Sequence, residues 1–445
     1  MTKATKQPTK TTRTRQPAKA KAATPTTSES QYDLIIFGAT SFVGAILTRY
    51  IAAQFGLNKE LKWAIAGRSE IKLQKVRGTL VKALGDEAKN VPMLIADAAN
   101  EAQLRDLCAK TNVIVSTVGP YALYGEPLVK VCAETGTDYC DLTGEPQWIK
   151  RMLEKYEAKA KASGARIVHC CGFDSVPSDM GVYFLQQQAE QEFGCVAPSV
   201  KMRVKAAKGG MSGGTIASIV HLTKEYIANP SLRKELADPY SICPPGHRFS
   251  TKQVDQRGAK FDSQFKAWSA PFIMAAINTR VVHRSNALLG KKYGNDFTYE
   301  ETMLTGRGAK GRAMATGITL GLGAFMAGAA IKPTRWLLER FVLPKPGQGP
   351  SPKAQEAGFY DIRFAGLTKD GRKILTRVTG DMDPGYGSTG KLLGQAAAGL
   401  ALDFHKNGKK CDKEGGFWTP GSIFDQRYID RLQDFAGVTF EVLEK

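Results

Sequence analysis

The chain has 445 residues, 42% hydrophobic and 23% charged, an ordinary balance for a soluble globular protein and enough for two or three domains with substantial cores. Its net charge of +20 is not ordinary: seven Lys/Arg stand against one Glu before residue 32, and nineteen Lys/Arg against eight Asp/Glu over 201–312. Such a field draws cofactor phosphates, anionic lipid or nucleic acid alike, but no helix-turn-helix, zinc-finger spacing or RNA-binding aromatic signature accompanies it, which argues against nucleic acid. The eight cysteines form no C-x-x-C pair, and the Cys243–His247 neighbours lack a second ligand pair, so neither a disulfide framework nor a metal site is expected.

Residues 1–31 hold no bulky apolar side chain after Met1 and are expected to be a disordered basic tail. They lack the apolar core of a signal peptide, which predicts a cytoplasmic address. From Tyr32 short apolar strands alternate with helices. Strands are expected at Asp33–Phe37, Lys62–Ala66, Pro92–Ile95, Asn112–Ser116, Thr137–Cys140 and Arg166–His169. Helices are expected near 42–54, 69–84, 100–110, 125–135 and 146–163. Six such alternations predict an α/β fold, a doubly wound parallel sheet of Rossmann type over 32–175. Beyond Gly172 the alternation stops. Val200–Val204, Phe359–Phe364 and Lys373–Val378 read as strands of a mixed sheet, and a glycine cluster at 209–214 precedes an amphipathic helix. A second, α+β domain is expected over 176–390. The segment 391–445 is expected to pack back on the first domain, through a helix near 388–403. The adjacent Cys170 and Cys171 read as small buried residues at a strand end.

One stretch stands apart. Ala313–Ile331 is nineteen residues without a charge, between Arg307, Lys310 and Arg312 on one side and Lys332, Arg335 and Arg340 on the other. As a helix it approaches the ~30 Å thickness of a bilayer's hydrocarbon, yet five Leu/Ile/Phe residues among four glycines and six alanines make insertion marginal. A membrane span, a shallow membrane contact and a Gly/Ala-rich helix buried in protein all remain open. Gly317 and Gly321 would permit close helix packing in either lipid or a core.

The residues with chemical meaning sit where strands end. Gly38-Ala39-Thr40-Ser41-Phe42-Val43-Gly44 joins the first strand to the first helix. A residue without a side chain at Gly38 allows the tight turn, one at Gly44 lets the helix approach the sheet, and the helix N-terminus offers N–H groups to a pyrophosphate. Ser41 replaces the usual middle glycine. Arg68 ends the second strand, where a carboxylate would select NAD; an arginine there binds the 2′-phosphate of NADP. Asp97, after the third strand, suits the adenine edge or an ordinary turn. Thr117, Gly119 and Pro120 follow the fourth strand and suit the nicotinamide half, with Tyr121 a packing residue or a proton donor.

Ser116-Thr-Val-Gly-Pro-Tyr121, Tyr124-Gly125, Asp141-Leu-Thr-Gly-Glu145, Gly172-Phe-Asp-Ser-Val-Pro-Ser-Asp179, Asp383-Pro-Gly-Tyr386 and Gly416-Phe-Trp-Thr-Pro420 together resemble the saccharopine dehydrogenase-like oxidoreductase family. The resemblance runs from about Tyr32 to the C-terminus and is nearest to the branch that includes trans-acting enoyl reductases. It implies NADP binding and a lipid-linked substrate.

Asp141, Glu145, Asp174 and Asp179 lie near the expected crevice, and a carboxylic acid whose pKa burial raises could donate a proton there. Asp174 is the candidate. Capping is the competing role: Asp141 and Glu145 for the helix entered at Pro146, Asp174 or Ser175 for the next. His169 reads as a satisfied core histidine. The resulting expectation is an NADP-dependent oxidoreductase acting on an unsaturated or carbonyl carbon of a lipid-linked substrate. It would be peripheral at the inner face of the plasma membrane, with contact to anionic lipid and room for a homodimer. A saccharopine-type amino-acid dehydrogenase and a non-catalytic NADP-binding membrane-surface protein are the rival readings.

Overall fold

In the computed structural model, residues 1–2, 30–57, 59–209, 213–337, 349–406 and 413–444 are described. The basic tail falls on 3–29, outside the described residues, as do 210–212 of the glycine cluster and Arg340.

The first unit runs β1 (Tyr32–Phe37), α1 (Phe42–Phe55), β2 (Trp63–Gly67), α2 (Glu70–Leu84), β3 (Met93–Ile95), α3 (Glu101–Cys108) and β4 (Thr111–Ser116). It continues with α4 (Tyr121–Tyr124), α5 (Glu126–Thr135), β5 (Asp138–Asp141), α6 (Pro146–Ser163) and β6 (Arg166–Val168). β1, β2 and β6 are buried along their whole length, as strands covered on both faces must be. Ser69 and Asn100 accept from backbone N–H groups in the first turns of α2 and α3, which starts each helix where the sequence places it. The strands pair in parallel, in the order β3-β2-β1-β4-β5-β6, with one further short strand beyond β6. The order reverses between β1 and β4. That switch point is where a doubly wound sheet opens a crevice.

The second unit contains α7 (Val176–Phe193), β7 (Ser199–Lys208), α8 (Gly213–Ala228), α9 (Pro230–Ala237), β8 (Lys260–Asp262), β9 (Ala267–Pro271), α10 (Ala275–Leu288) and β10 (Thr298–Gly306). Then come α11 (Gly308–Ala330), α12 (Lys332–Leu337), α13 (Pro352–Glu356), β11 (Phe359–Leu367) and β12 (Lys373–Gly380). Only β7 and β10 pair in parallel, so the sheet is mixed. α7 and α10 cover one of its faces, with Gly181 of α7 lying directly against the Phe364 ring.

The chain's end belongs to both units. α14 (Thr389–Ala398) packs on α1 of the first, and β13 (Gly416–Trp418) adds the seventh strand beside β6. After α15 (Pro420–Ile423) and α16 (Gln426–Phe435), β14 (Val438–Glu444) pairs with β12 at the edge of the second sheet. Strand β13 is three residues long, too short for any periodicity to announce it.

The structure narrows the readings left open for the uncharged stretch. The uncharged stretch does form a helix, but α11 is not a core helix: only 11% of its most apolar stretch is buried. A Cβ on Gly317 or Gly321 would meet nothing within 4 Å, so among the described residues no helix packs against them. The cysteines behave as expected among the described residues: Cys108, Cys132, Cys140, Cys170 and Cys171 are buried free thiols, and burial raises Cys170 and Cys171 well above the usual thiol range.

Two acids are sealed at the junction of the units. Asp179, fully buried, accepts from Ser285 Oγ at 2.9 Å and Gly421 N at 2.7 Å, and burial raises it to about 7. Glu301 accepts from the Tyr299 hydroxyl at 2.7 Å and Asn278 Nδ2 at 2.9 Å, and burial likewise raises it to about 7. Unfolded carboxyls titrate near ~4, so the folded chain holds extra protons between about pH 4 and pH 7. The stability these acids supply is complete below that window and is lost as pH rises through 7. Thermal melts of Asp179→Asn and the wild type should therefore diverge in the variant's favour from about pH 5 to about pH 8, at about 1.4 kcal/mol per pKa unit removed. A constant difference in melting temperature would show that Asp179 does not titrate there.

Candidate functional site at the sheet switch point

Gly38 and Gly44 hold the turn between β1 and α1 for the reasons the spacing suggests. Gly38 sits at φ +86°, and a Cβ there would lie 2.6 Å from Val118 Cγ2 and 2.9 Å from Thr117 Oγ1. A Cβ on Gly44 would run into the Gly38 carbonyl and lie 2.7 Å from Thr117 Oγ1. Ser41 caps α1, accepting from Gly44 N at 2.9 Å, and donates to Thr117 Oγ1 at 3.0 Å; Thr117 donates in turn to the Gly38 carbonyl at 2.9 Å. This chain ties the loop after β1 to the loop after β4. Ser41 therefore spends its hydroxyl on the protein and leaves backbone N–H groups at the helix start for an anion. Ala39 is buried, Thr40, Ser41, Phe42 and Val43 are half-buried at the rim, and the Phe42 ring meets Tyr386 edge-on at 4.8 Å.

Arg68 is exposed at the end of β2, with no ion-pair partner among the described residues, and Thr40 stands beside the neighbouring Gly67. No carboxylate occupies that strand end: the residues after Gly67 are Arg68 and Ser69. The donor set fits a 2′-phosphate and lacks the acid that would hold a bare ribose. Asp97 is half-buried and closes its own turn, accepting from Ala99 N at 2.9 Å. Across the switch point, Thr117 is buried, Gly119 exposed and Pro120 half-buried, with a cis Gly119–Pro120 bond.

Tyr121 does not face the crevice as a proton donor. Its hydroxyl donates to the Ser116 carbonyl at 2.9 Å, its ring packs on Trp148, and burial, helped by Asp141, raises it well above the usual phenol range. Its backbone N–H and that of Ala122 both donate to Glu145, at 2.9 and 3.0 Å. Glu145 thus caps α4, not the helix entered at Pro146, and it also accepts from Ser218 Oγ of α8 at 2.7 Å. Asp141 is likewise no cap of that helix: it accepts from Tyr139 OH, Thr143 N and Cys170 N and sits 2.7 Å from His169 Nδ1. His169 is only half satisfied, since its Nε2 is buried among the rings of Trp148, Tyr139 and Phe417 without a partner. Asp179 lies in the sealed junction, away from the crevice. Neither Asp174 nor Ser175 caps α7.

Asp174 differs from these three acids. It follows β6, is partly open to solvent, and has no hydrogen-bond partner among the described residues. Its surroundings hold Met274 and the glycine of the loop after β5: a Cβ on Gly144 would lie 3.7 Å from Met274 Cε and 3.8 Å from Asp174 Oδ2. Burial alone, with no opposing hydrogen bond, raises its carboxyl to about 6.

Residues 34–168 match the saccharopine dehydrogenase NADP binding domain. The Mycobacterium tuberculosis protein Rv2449c, a trans-acting enoyl reductase by name, is 39% identical over 425 residues, covering 94% of this chain and 98% of that one. The trans-acting enoyl reductase of Mycobacterium ulcerans is 34% identical over 423 residues, covering 91% and 96%. The chain belongs to the saccharopine dehydrogenase-like oxidoreductases. It is an NADP-dependent oxidoreductase. Among solved structures, apo saccharopine dehydrogenase (L-Glu forming) from Saccharomyces cerevisiae aligns over 92% of this chain and 99% of its own, at 12% identity and a TM-score of 0.49.

In this oxidoreductase the second unit reaches the cofactor turn through residues to which sequence reasoning assigned no role. Asp383 accepts from Tyr386 N and Gly387 N, both at 3.0 Å, and so fixes the turn that sets the Tyr386 ring on Phe42. The Tyr386 hydroxyl accepts from Gly213 N, at the start of α8, at 2.8 Å. Gly349 lies against the other side of the Phe42 ring. The only signal for these contacts was the Asp383-Pro-Gly-Tyr386 motif, whose spacing suits a side-chain-capped turn but does not say what the turn touches.

Two measurements follow from this geometry. Removing the Arg68 guanidinium should cost about 1.5–3 kcal/mol, about ten- to a hundredfold in NADPH affinity, while NADH affinity stays constant. Titrating wild type and Arg68→Ala with both cofactors checks it; equal affinity of the wild type for the two would remove Arg68 from the phosphate site. Thr117→Val keeps the side chain's shape and deletes its bonds to Ser41, Gly38 and Phe37, so NADPH affinity should fall about five- to thirtyfold with the fold intact. Unchanged binding by calorimetry would show that the tie between the two loops is irrelevant to the cofactor.

Proposed function

We propose that the protein reduces an unsaturated or carbonyl carbon of a lipid-linked substrate, with Asp174 as the proton donor. The observation that carries this reading is the state of Asp174: a carboxyl in the loop after β6, beside Gly144 of the loop after β5, free of hydrogen bonds among the described residues, with its titration raised to about 6. When bound, NADPH supplies a hydride. The turn at Gly38–Gly44 would hold its pyrophosphate, Arg68 its 2′-phosphate, and the backbone of Thr117–Pro120 would flank its nicotinamide half. Asp174 would deliver a proton to the atom that receives no hydride, a role open to it because no neighbouring donor holds its carboxylate ionised.

The names of the relatives support an enoyl substrate, since two of them are called trans-acting enoyl reductases. The second unit's buried arginines speak against the amino-acid reading, which calls for guanidinium groups turned toward substrate carboxylates. Arg203 is paired with Asp262 and Glu300, and Arg284 donates to the Ile242 and Phe417 carbonyls at 2.6 and 2.8 Å. Arg280 is spent on the Leu236 and Ala276 carbonyls.

The test follows NADPH oxidation with an α,β-unsaturated fatty acyl thioester and, separately, NADP+ reduction with saccharopine. Turnover of the thioester alone is the expected result; turnover of saccharopine alone would overturn the substrate class. With the active acceptor, Asp174→Asn should lower kcat about 10²- to 10⁴-fold and leave NADPH affinity unchanged. Wild-type kcat should fall as pH rises above about 6, because the donor must carry its proton. An Asn variant of normal kcat would remove Asp174 from the chemistry.

A further inference from the structure

Helix α11 is apolar on the wrong side. A surface helix buries one stripe and turns charge to water. Its inner stripe is in place: Gly311 backs onto Gly306, Ala315 is buried, and Phe325 and Ala329 pack with Ile216 and Val220 of α8. Opposite that stripe stand Leu320 and Ile331, exposed by 68% and 56%, while Met314 and Met326, exposed by 57% and 41%, stand on its two flanks, and no charge occurs from Ala313 to Ile331. Among the described residues nothing covers Leu320 or the two flanks.

The helix does not cross a bilayer. A single crossing would put the chain before it and the chain after it on opposite sides. Yet β7 (before) pairs with β11 (after), and β6 pairs with β13. Both sheets are built from both sides of the helix, so α11 enters and leaves on one side of the body. Lying in an interface costs its backbone nothing, because its hydrogen bonds are internal.

Charge selects the partner. From Thr302 to Leu338 there is no Asp or Glu. Arg307, Lys310 and Arg312 flank the start of the apolar face, and Lys332 and Arg335 its end. A second copy of the helix, parallel or antiparallel, would set cations against cations at both ends. An anionic lipid surface neutralises both ends at once. Trp336, 60% exposed just past the helix, is the residue type that settles at headgroup depth.

We propose that α11 is a one-sided membrane anchor lying in the plane of an anionic bilayer, its exposed Leu320 side at the acyl boundary and its flanking cations on headgroups. Helix α8 makes the docking relevant to the crevice. The same helix that carries α11 on Ile216 and Val220 holds Glu145 through Ser218, and Glu225 near its end takes Arg151 of α6 at 2.8 Å. The anchor therefore faces lipid at a set distance from the cofactor site.

The full chain is sedimented with vesicles of phosphatidylcholine alone and of phosphatidylcholine mixed with phosphatidylglycerol, over a salt series. Binding to the mixed vesicles that weakens with salt is expected. Leu320→Glu with Met326→Glu should weaken it at least about tenfold, and Arg307→Glu with Lys310→Glu should erase the preference for anionic vesicles. All four side chains are exposed, so the melting temperature and NADPH affinity should not move. Absence of vesicle binding, binding indifferent to the Leu320/Met326 substitutions, or a dimer that those substitutions split without any vesicle binding would each overturn the proposal. No turnover is read, so the outcome is separate from that of the proposed reductase activity.

Discussion

The Glu145 carboxylate, 1% exposed and with no cation among its hydrogen-bond partners, accepts three hydrogen bonds from two other parts of the chain. Two come from backbone N–H groups at the start of α4, where the orphan donors of a helix end need an acceptor. They anchor the exit of the loop that carries Thr117, Gly119 and Pro120. The third comes from Ser218 of α8, so the same carboxylate attaches the second unit to the rim of the crevice. A buried charge persists only where its lone pairs are taken up. Glu145 meets that condition by drawing the loop after β4, the loop after β5 and α8 to one point.

The cofactor turn shows the same economy. Replacing the central glycine of the motif by Ser41 looks like a loss of room, but the hydroxyl turns inward, caps α1 and binds Thr117. The loop is thereby prearranged before any phosphate arrives, which reduces the ordering that binding must supply. From the other side, Phe42 is held between Tyr386 and Gly349, so the turn that faces the cofactor also carries a contact between the units.

The four acids that the sequence alone puts near the crevice separate by their partners among the described residues. Asp141 has backbone donors and His169, Glu145 has two N–H groups and a hydroxyl, and Asp179 has Ser285 and Gly421. Asp174 has none and keeps contact with solvent, the combination that leaves a carboxyl both titratable and reachable. The weaving of the chain's end through both sheets adds a mechanical constraint. β13 extends the first sheet and β14 the second, so the two units cannot separate without breaking strand pairs. That weave also keeps α11 on the outside of a single body.

Local chemistry was legible from residues alone. Strands β1 to β6 of the first sheet, the turn at Gly38–Gly44, the arginine in place of an acid at residue 68 and the uncharged helix after Arg312 follow from short-range rules: alternation, φ requirements, strand-end position and composition. These rules act over a few residues, and the sequence by itself determined their outcome. What partners a side chain meets is another matter. Glu145 caps α4 across the fold instead of its own helix, Tyr121 points at Ser116, Asp179 is sealed against Ser285, and β13 exists because β6 offers it an edge. Each of these joins segments distant in sequence or selects one of several available donors. Only the tertiary structure decided them, because a hydrogen bond is fixed by which atoms packing brings within about 3 Å, not by spacing along the chain.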